Sequence, residues 1–450
     1  MNTLRVGSAS VDITPPLTIP YLGYVPRQAY FEGVHDPLYG KALVVDDGQC
    51  RVAVVVGDSI GWSRGIMGPD RDFIDEVRDR IHRRCGISPD HVMIAATHAH
   101  STPETLGIRR LLDHPGAAEW LEVLGDQLAS AVVMADRDRG PARLKVAVGR
   151  ADGIGWSRRI LGKDGRIYQW INHPPDDLVA DWGVRDPEVT VLFFERRDHR
   201  PGTVLTHFAC HPVTMQVQPL VSADFPGAAM TFVEQADVGC THSLYLQGAA
   251  GNINPVRADT RNFEDVRRYG QILAGEVIKQ LGVMAAPDYP MSPAVVRVAS
   301  KTITVPSRAL PPPGPIEEEH RRGEETVRNA ATEEERMKAA RTLLRLTEQL
   351  ERVRRGDAPV KAEVQVIRIG DVALVGIPGE PFAELGLALK QSDPRVLCVG
   401  YANDWLGYIA PPAAFEQGGY EVSLGTWSVV GPAAFNQMVE TGRSLVRRLW

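Results

Sequence analysis

Long apolar runs are missing from this chain. Nowhere do 18 consecutive apolar residues occur, which excludes a helix of the length and character needed to cross a bilayer. The opening MNTLRVGSASVDITPP has no apolar block of the signal-peptide kind, so the expected compartment is cytoplasmic. Cysteine is scarce. Cys50, Cys85, Cys210, Cys240 and Cys398 are odd in number and dispersed, with no CxxC pair, and read as reduced thiols rather than a disulfide framework. Positive charge is not in excess either. Lys and Arg number 50 against 56 Asp and Glu, a formal net charge of −6, so neither nucleic acid nor an anionic membrane surface is an expected partner. No internal repeat is visible.

What the sequence does contain is material for a sizeable core: 450 residues, 44% hydrophobic and 24% charged. Strand-like, β-branched runs fall near 42–47, 51–58, 91–100, 189–197, 202–211, 242–248, 364–380 and 395–402. Between some of them lie amphipathic stretches. Phe73, Ile74, Val77 and Ile81 mark one helical face, with Gly86 as its stop. SADFPGAAMTFVEQA and EPFAELGLALKQS read as helices that open just after strand-like segments. This alternation predicts an α/β fold, mixed sheets with flanking helices, forming one large domain over residues 1–306 and 358–450. Residues 307–357 break the pattern with a proline cluster and then a charge-rich stretch. Met337, Ala340, Leu343, Leu344 and Leu350 keep helical spacing there, which predicts an inserted helical hairpin. Two roles stay open for it: a solvated excursion, or a contact surface acting as a lid or joining copies in a homo-oligomer.

The stretch MIAATHAHSTPET, residues 93–105, places His98 and His100 at the end of an apolar run. Side chains alternate along an extended segment, so the two imidazoles are expected on one side. Other strand-like runs end in a similar way. TVLTHFACHP leads to His211, SLYLQGAAGNINP runs into a glycine loop, and DVALVGIPGEPF leads to Glu380. Ligands in α/β folds gather outside the carboxyl ends of strands. Two histidines and a carboxylate with an open position form the ligand set of hydrolytic zinc.

The motifs ATHAHSTPETLG, FACHPVTM, SADFPG, LQGAAGNINP, PGEPF and GYIAPPAAFEQGGYE stand in an order and spacing that resemble the neutral (non-lysosomal) ceramidase family. The resemblance runs from residue 5 to about 440, the helical insertion apart. It implies a Zn²⁺ held by His98, His211, Glu380 and Tyr408, and His100 as general acid/base. It further implies that Tyr420 and Arg158 steady an oxyanion, with Arg159 the neighbour one position of slippage away. The family's members are zinc-dependent amidases that cleave the N-acyl bond of ceramide.

Two departures narrow the expectation. Where the family carries GDxSP, this chain reads GNINP, so Asn252 replaces the aspartate and Asn254 the serine. An asparagine can hydrogen-bond a substrate but cannot become an alkoxide, so Asn254 is expected to position substrate. The chain also ends at Trp450, before the family's C-terminal β-sandwich. The expected activity is a zinc-dependent hydrolase cleaving an amide or ester bond of a small polar or amphipathic substrate by metal-bound water. One alternative is a metal-dependent hydrolase or lyase acting on a carbohydrate derivative or lactone, suggested by the polar loop RRILGKDGRIYQWINHPPDD. Another is a non-catalytic, metal-stabilised binding protein. The expected partner is a small-molecule substrate, with no nucleic acid and no membrane insertion.

Overall fold

The β-branched runs assemble into two main sheets in the computed structural model, which describes residues 3–21, 30–108, 111–169, 172–216, 218–256, 262–391, 393 and 395–450. The larger sheet holds β1 (Leu4–Asp12), β2 (Tyr39–Asp46), β3 (Arg51–Gly57), β4 (Val92–Ala96), β5 (Gly140–Arg150), β6 (Glu188–Arg196), β7 (Gly202–Phe208) and β8 (Cys240–Gln247). Their spatial order is β8-β7-β6-β5-β1-β2-β3-β4. Interior pairs are antiparallel, but β3 with β4 and β7 with β8 run parallel at the two edges. The smaller sheet is β9 (Val296–Val305), β10 (Val360–Ile369), β11 (Val372–Gly376) and β12 (Val396–Val399), in that order, with β11 and β12 parallel.

The large sheet curls until β8 comes back against β1, β3 and β4. Both of its edges then pack with the small sheet in one cluster that includes Val54, Met93, Leu205, Leu244, Ile367, Leu374 and Leu397, each at most 1% exposed. The consequence is positional. Parallel pairs present their carboxyl ends on a common side, and here three such pairs are drawn together.

Helices cover the remaining apolar faces. In α1 (Phe73–Cys85), Phe73, Ile74, Val77 and Ile81 are buried, Asp72 caps the first turn by accepting from the Asp75 N–H, and Gly86 ends the helix at φ 72°. A cap of that kind contributes about 1 kcal/mol. With α2 (Ala117–Asp138), α1 closes one side of the large sheet. The same face is covered over β5–β8 by α3 (Asp224–Gln235) and α4 (Phe263–Met284). The helical excursion lies between β9 and β10, antiparallel partners that pair up to Val305 and Val360. It comprises α5 (Pro313–Asn329) and α6 (Glu333–Arg354), the latter opened by a reciprocal capping box of Thr332 and Glu335. Leu350 is buried as its spacing predicts, whereas Met337 is 52% exposed. Behind the small sheet, α7 (Ala383–Lys390) and α8 (Ala433–Leu449) complete the layer.

One expectation needs correction. The run 91–100 is not extended throughout: β4 stops at Ala96, and His98 has φ 69° in the left-handed region. Simple alternation therefore does not account for His98 and His100 facing one another.

Candidate metal centre

Each strand end delivers one part of the centre. Thr97 still donates to Gly57 O, and the backbone then turns, so that His98 points its ring inward. His211 lies three residues beyond β7, with its N–H on Ile253 O. Glu380 follows β11 and pairs in a short parallel bridge, Glu380 opposite Tyr408 and Pro381 opposite Ile409.

His98 and His211 are fixed in the same way. The Nδ1 of His98 lies 2.5 Å from Ile60 O, and the Nδ1 of His211 lies 2.6 Å from Ala250 O. A carbonyl only accepts, so each Nδ1 carries the proton and each Nε2 a lone pair. Those two Nε2 atoms are 2.9 Å apart. Glu380 Oε2 stands 3.4 Å from the first and 3.3 Å from the second, and this buried oxygen has no hydrogen-bond partner among the described residues. Three lone-pair atoms facing one another in a buried pocket repel unless a cation lies among them. The residues present therefore fit a metal ion. His211 is pushed down to about 4 by burial and then by the neighbouring charges, so it is neutral and competent to ligate.

His100 lies against this pair, its Nε2 3.2 Å from His98 Nε2 and its N–H on Pro212 O. The nitrogens of His98, His100 and His211 all fall within 4.8 Å of one another. Burial, then the two neighbouring histidines, hold His100 well below the usual histidine range. Tyr408 is buried, and its hydroxyl accepts from Arg158 Nη2 at 2.9 Å.

Arg158 spans the wall of the pocket. Its Nε donates to Glu421 at 2.8 Å, Nη2 to Gly251 O at 2.7 Å, and Nη1 to Asn254 Oδ1 at 3.3 Å. Arg159 turns away to Glu421 Oε2 and Gly418 O, both at 2.7 Å, and so braces the loop carrying Tyr420. Tyr420 itself is 37% exposed at the rim and stacked on Trp427, ring centroids 4.9 Å apart.

Between these groups lies a cavity of about 50 Å³. Its lining is part polar (His98, His100, Arg158, Gln216, Asn254, Glu380) and part apolar, with Leu106, Ile108 and Val213 beside Trp405 and Trp427. Among the described residues of the loop 158–177, Arg158 alone lines it; Trp170 and Ile171 lie outside the described residues. The polar-loop argument for a carbohydrate substrate loses its support accordingly. Asn252 does not reach the cavity either. It accepts from Ala383 N and donates to Glu384, which ties the glycine loop to the start of α7. A larger cavity, about 990 Å³, lies elsewhere, lined by Lys41, Asp58, Glu234 and Phe263 among others. It contains none of the three converging histidines, so the chemistry belongs to the smaller one.

Sequence reasoning missed the support given by GYANDW. Tyr401 stacks on His98 with centroids 3.9 Å apart, and Trp405 Nε1 donates to Glu380 Oε1 at 3.0 Å. Asn403, fully buried at φ 65°, accepts from Ile94 N and donates to Gln365. The available signal was another strand end, at Val399.

A family model described as neutral/alkaline non-lysosomal ceramidase, N-terminal, matches residues 4–254. The neutral ceramidase of Mycobacterium tuberculosis is 24% identical, over 95% of this chain and 75% of its own length. That of Drosophila pseudoobscura pseudoobscura is 35% identical, over 52% of this chain and only 32% of its own length. The fold superposes on the crystal structure of neutral ceramidase from Pseudomonas aeruginosa with a TM-score of 0.69, covering 100% of this chain and 75% of that one at 19% identity. With more than half its length matched by that model, and with this constellation at its strand ends, the chain belongs to the neutral/alkaline non-lysosomal ceramidase family.

Proposed function

We propose that this protein is a Zn²⁺-dependent hydrolase of N-acyl bonds, with His98, His211, Glu380 and Tyr408 holding the ion and His100 moving the proton. The observation that carries the reading is the convergence of two Nε2 lone pairs and the partnerless Glu380 Oε2, with both Nδ1 positions already committed to carbonyls. Zn²⁺ bound there supplies Lewis acidity to a carbonyl oxygen and lowers the pKa of a coordinated water to about 7.

The chain's own groups do the rest. His100, kept neutral by burial, takes a proton at Nε2 and returns it to the leaving nitrogen. Arg158 directs donors toward the pocket, where negative charge develops on the carbonyl oxygen, and Glu421 fixes its orientation. Asn254 and Gln216 orient the substrate through their amides. A lining part polar and part apolar suits an amphipathic acyl amide. The relatives' name makes ceramide the first substrate to test, and Asn254 in the loop is a reason to include smaller N-acyl amino acids. The experiment is metal analysis of the purified protein followed by turnover on ceramide, N-acyl amino acids and p-nitrophenyl esters. About one zinc per chain with hydrolysis of at least one acyl amide is the expected result; a zinc-loaded protein that cleaves only esters, or nothing, rules the reading out.

A further inference from the structure

The helical hairpin is anchored to the same two segments that wall the catalytic pocket. Leu106 and Ile108 contribute one stretch of the pocket wall, and Tyr420 and Trp427 contribute another. Arg355, which ends α6, places Nη2 3.1 Å from Gly107 O and 3.4 Å from Ile108 O. Arg352, one turn earlier and 3% exposed, donates to Ser428 O at 3.1 Å and Val429 O at 3.0 Å, immediately after Trp427. It also donates to Ser307 Oγ and Gly356 O, both at 2.6 Å. From the other root of the hairpin, Arg308 donates to Val422 O at 2.8 Å and Ser428 Oγ at 2.7 Å.

Charge makes this arrangement informative. Arg352 is buried, and among the described residues its hydrogen-bond partners are carbonyls and a hydroxyl rather than a carboxylate. Burial, then the nearby Arg308 and Arg355, lower its pKa. Gathering three guanidinium groups in this way is unfavourable, and packing α6 against the domain needs only apolar residues. What arginine adds is a long reach and several planar donors for backbone oxygens. Those oxygens belong to pocket-wall loops. On the first wall, Glu104 Oε1 accepts from the N–H groups of Leu106 and Ile108, and Arg355 holds the carbonyls, so both polar edges of the loop are tied.

We propose that the hairpin base sets the width of the acyl pocket, with Arg355 and Arg352 as specificity-determining positioning residues that clamp its two walls. This rests on the acyl-hydrolase reading above for its substrate. The clamp predicts a narrow pocket that favours short acyl groups, and release of one wall widens it.

Arg355→Ala is the primary variant because Arg355 is exposed and its loss leaves no buried group unpaired; Arg352→Met serves as the second, and Arg355→Lys as the conservative control. Two readouts are taken on the wild type and each variant. Amide hydrogen exchange of residues 104–108 should accelerate about tenfold in Arg355→Ala, that of 427–430 in Arg352→Met, and α1 should stay unchanged. Across N-acyl substrates with one headgroup and chains from acetyl to palmitoyl, Arg355→Ala should lower KM for the long chains at least threefold. Its kcat on the acetyl substrate and its zinc content should remain within twofold of wild type, with Arg355→Lys in between. Unchanged exchange in both variants overturns the clamp whether or not the protein has activity. Altered exchange with an unchanged chain-length profile overturns the specificity role. A wild type inactive on every acyl substrate overturns the enzymatic reading, and the selectivity claim with it, while the exchange data still judge the clamp.

Discussion

Arg158 and Arg321 are the same residue type in opposite settings. Arg158, with a side chain 10% exposed, shares its donors among Glu421, Gly251 O, Asn254 and Tyr408. Arg321, on the hairpin and 58% exposed, bonds to Glu318 and Glu325 on its own helix. In the first setting three other chain segments meet on one guanidinium, and removal of any partner leaves a buried polar group unpaired. In the second, water replaces whatever is lost, and each helical pair is worth about 0.3–0.5 kcal/mol. The difference teaches that the exposed charges along the hairpin's helices keep them solvated, while the pocket's few charges define a geometry.

The strongest test of this contrast is His211→Ala. Loss of one lone pair from a centre with so few donors should remove most bound zinc and nearly all turnover, read by metal analysis and by rate. A variant that retains stoichiometric metal places the ligand elsewhere. His100→Ala sharpens the contrast inside the pocket itself. It should keep zinc yet lose roughly 10²–10⁴-fold in turnover. Should the metal depart with this imidazole, His100 is a ligand and the proton carrier must be sought among other groups. Asn254→Ala should cost one hydrogen bond, about 0.5–1.5 kcal/mol or up to tenfold in rate, and Asn254→Ser should leave a working enzyme. The smallest effect is expected on the hairpin. Arg321→Ala should shift unfolding free energy by no more than about 0.5 kcal/mol, with turnover unaltered. A larger destabilisation in a denaturant titration erases the distinction between the two regions.

Much of the fold was legible because core patterning follows simple periods. The α1 face, its Gly86 stop, the strands leading to His98, His211 and Glu380, and the helical excursion after residue 307 all follow from spacing and turn chemistry. The residues that converge in the candidate centre were legible too, since imidazole and carboxylate at strand ends are conspicuous types. The supports were not. Tyr401, Asn403 and Trp405 act through stacking and buried hydrogen bonds that depend on where β12 packs, which is a tertiary fact with no local period. The curl that brings β8 against β3 and β4 is equally invisible along the chain, because twist accumulates over the whole sheet. Arg158 and Arg159 were ambiguous for a related reason. Adjacent arginines have the same composition, and only the β-bridge of Gly155–Ser157 with Ile253–Pro255 decides which one enters the pocket.

The left-handed backbone of His98 bears on any attempt to move this chemistry to another protein. Holding a non-glycine residue at φ 69° costs about 1–2 kcal/mol, and that cost is met by the Ile60 carbonyl, the Tyr401 ring and the packing around them. Glycine would sit there without strain but offers no imidazole, and a histidine placed on an idealised scaffold in an ordinary β or helical conformation would aim its Nε2 in another direction. A transplanted centre thus has to carry the turn along with the ligands. Copying the four side chains onto a regular backbone would reproduce the composition of the site without its convergence.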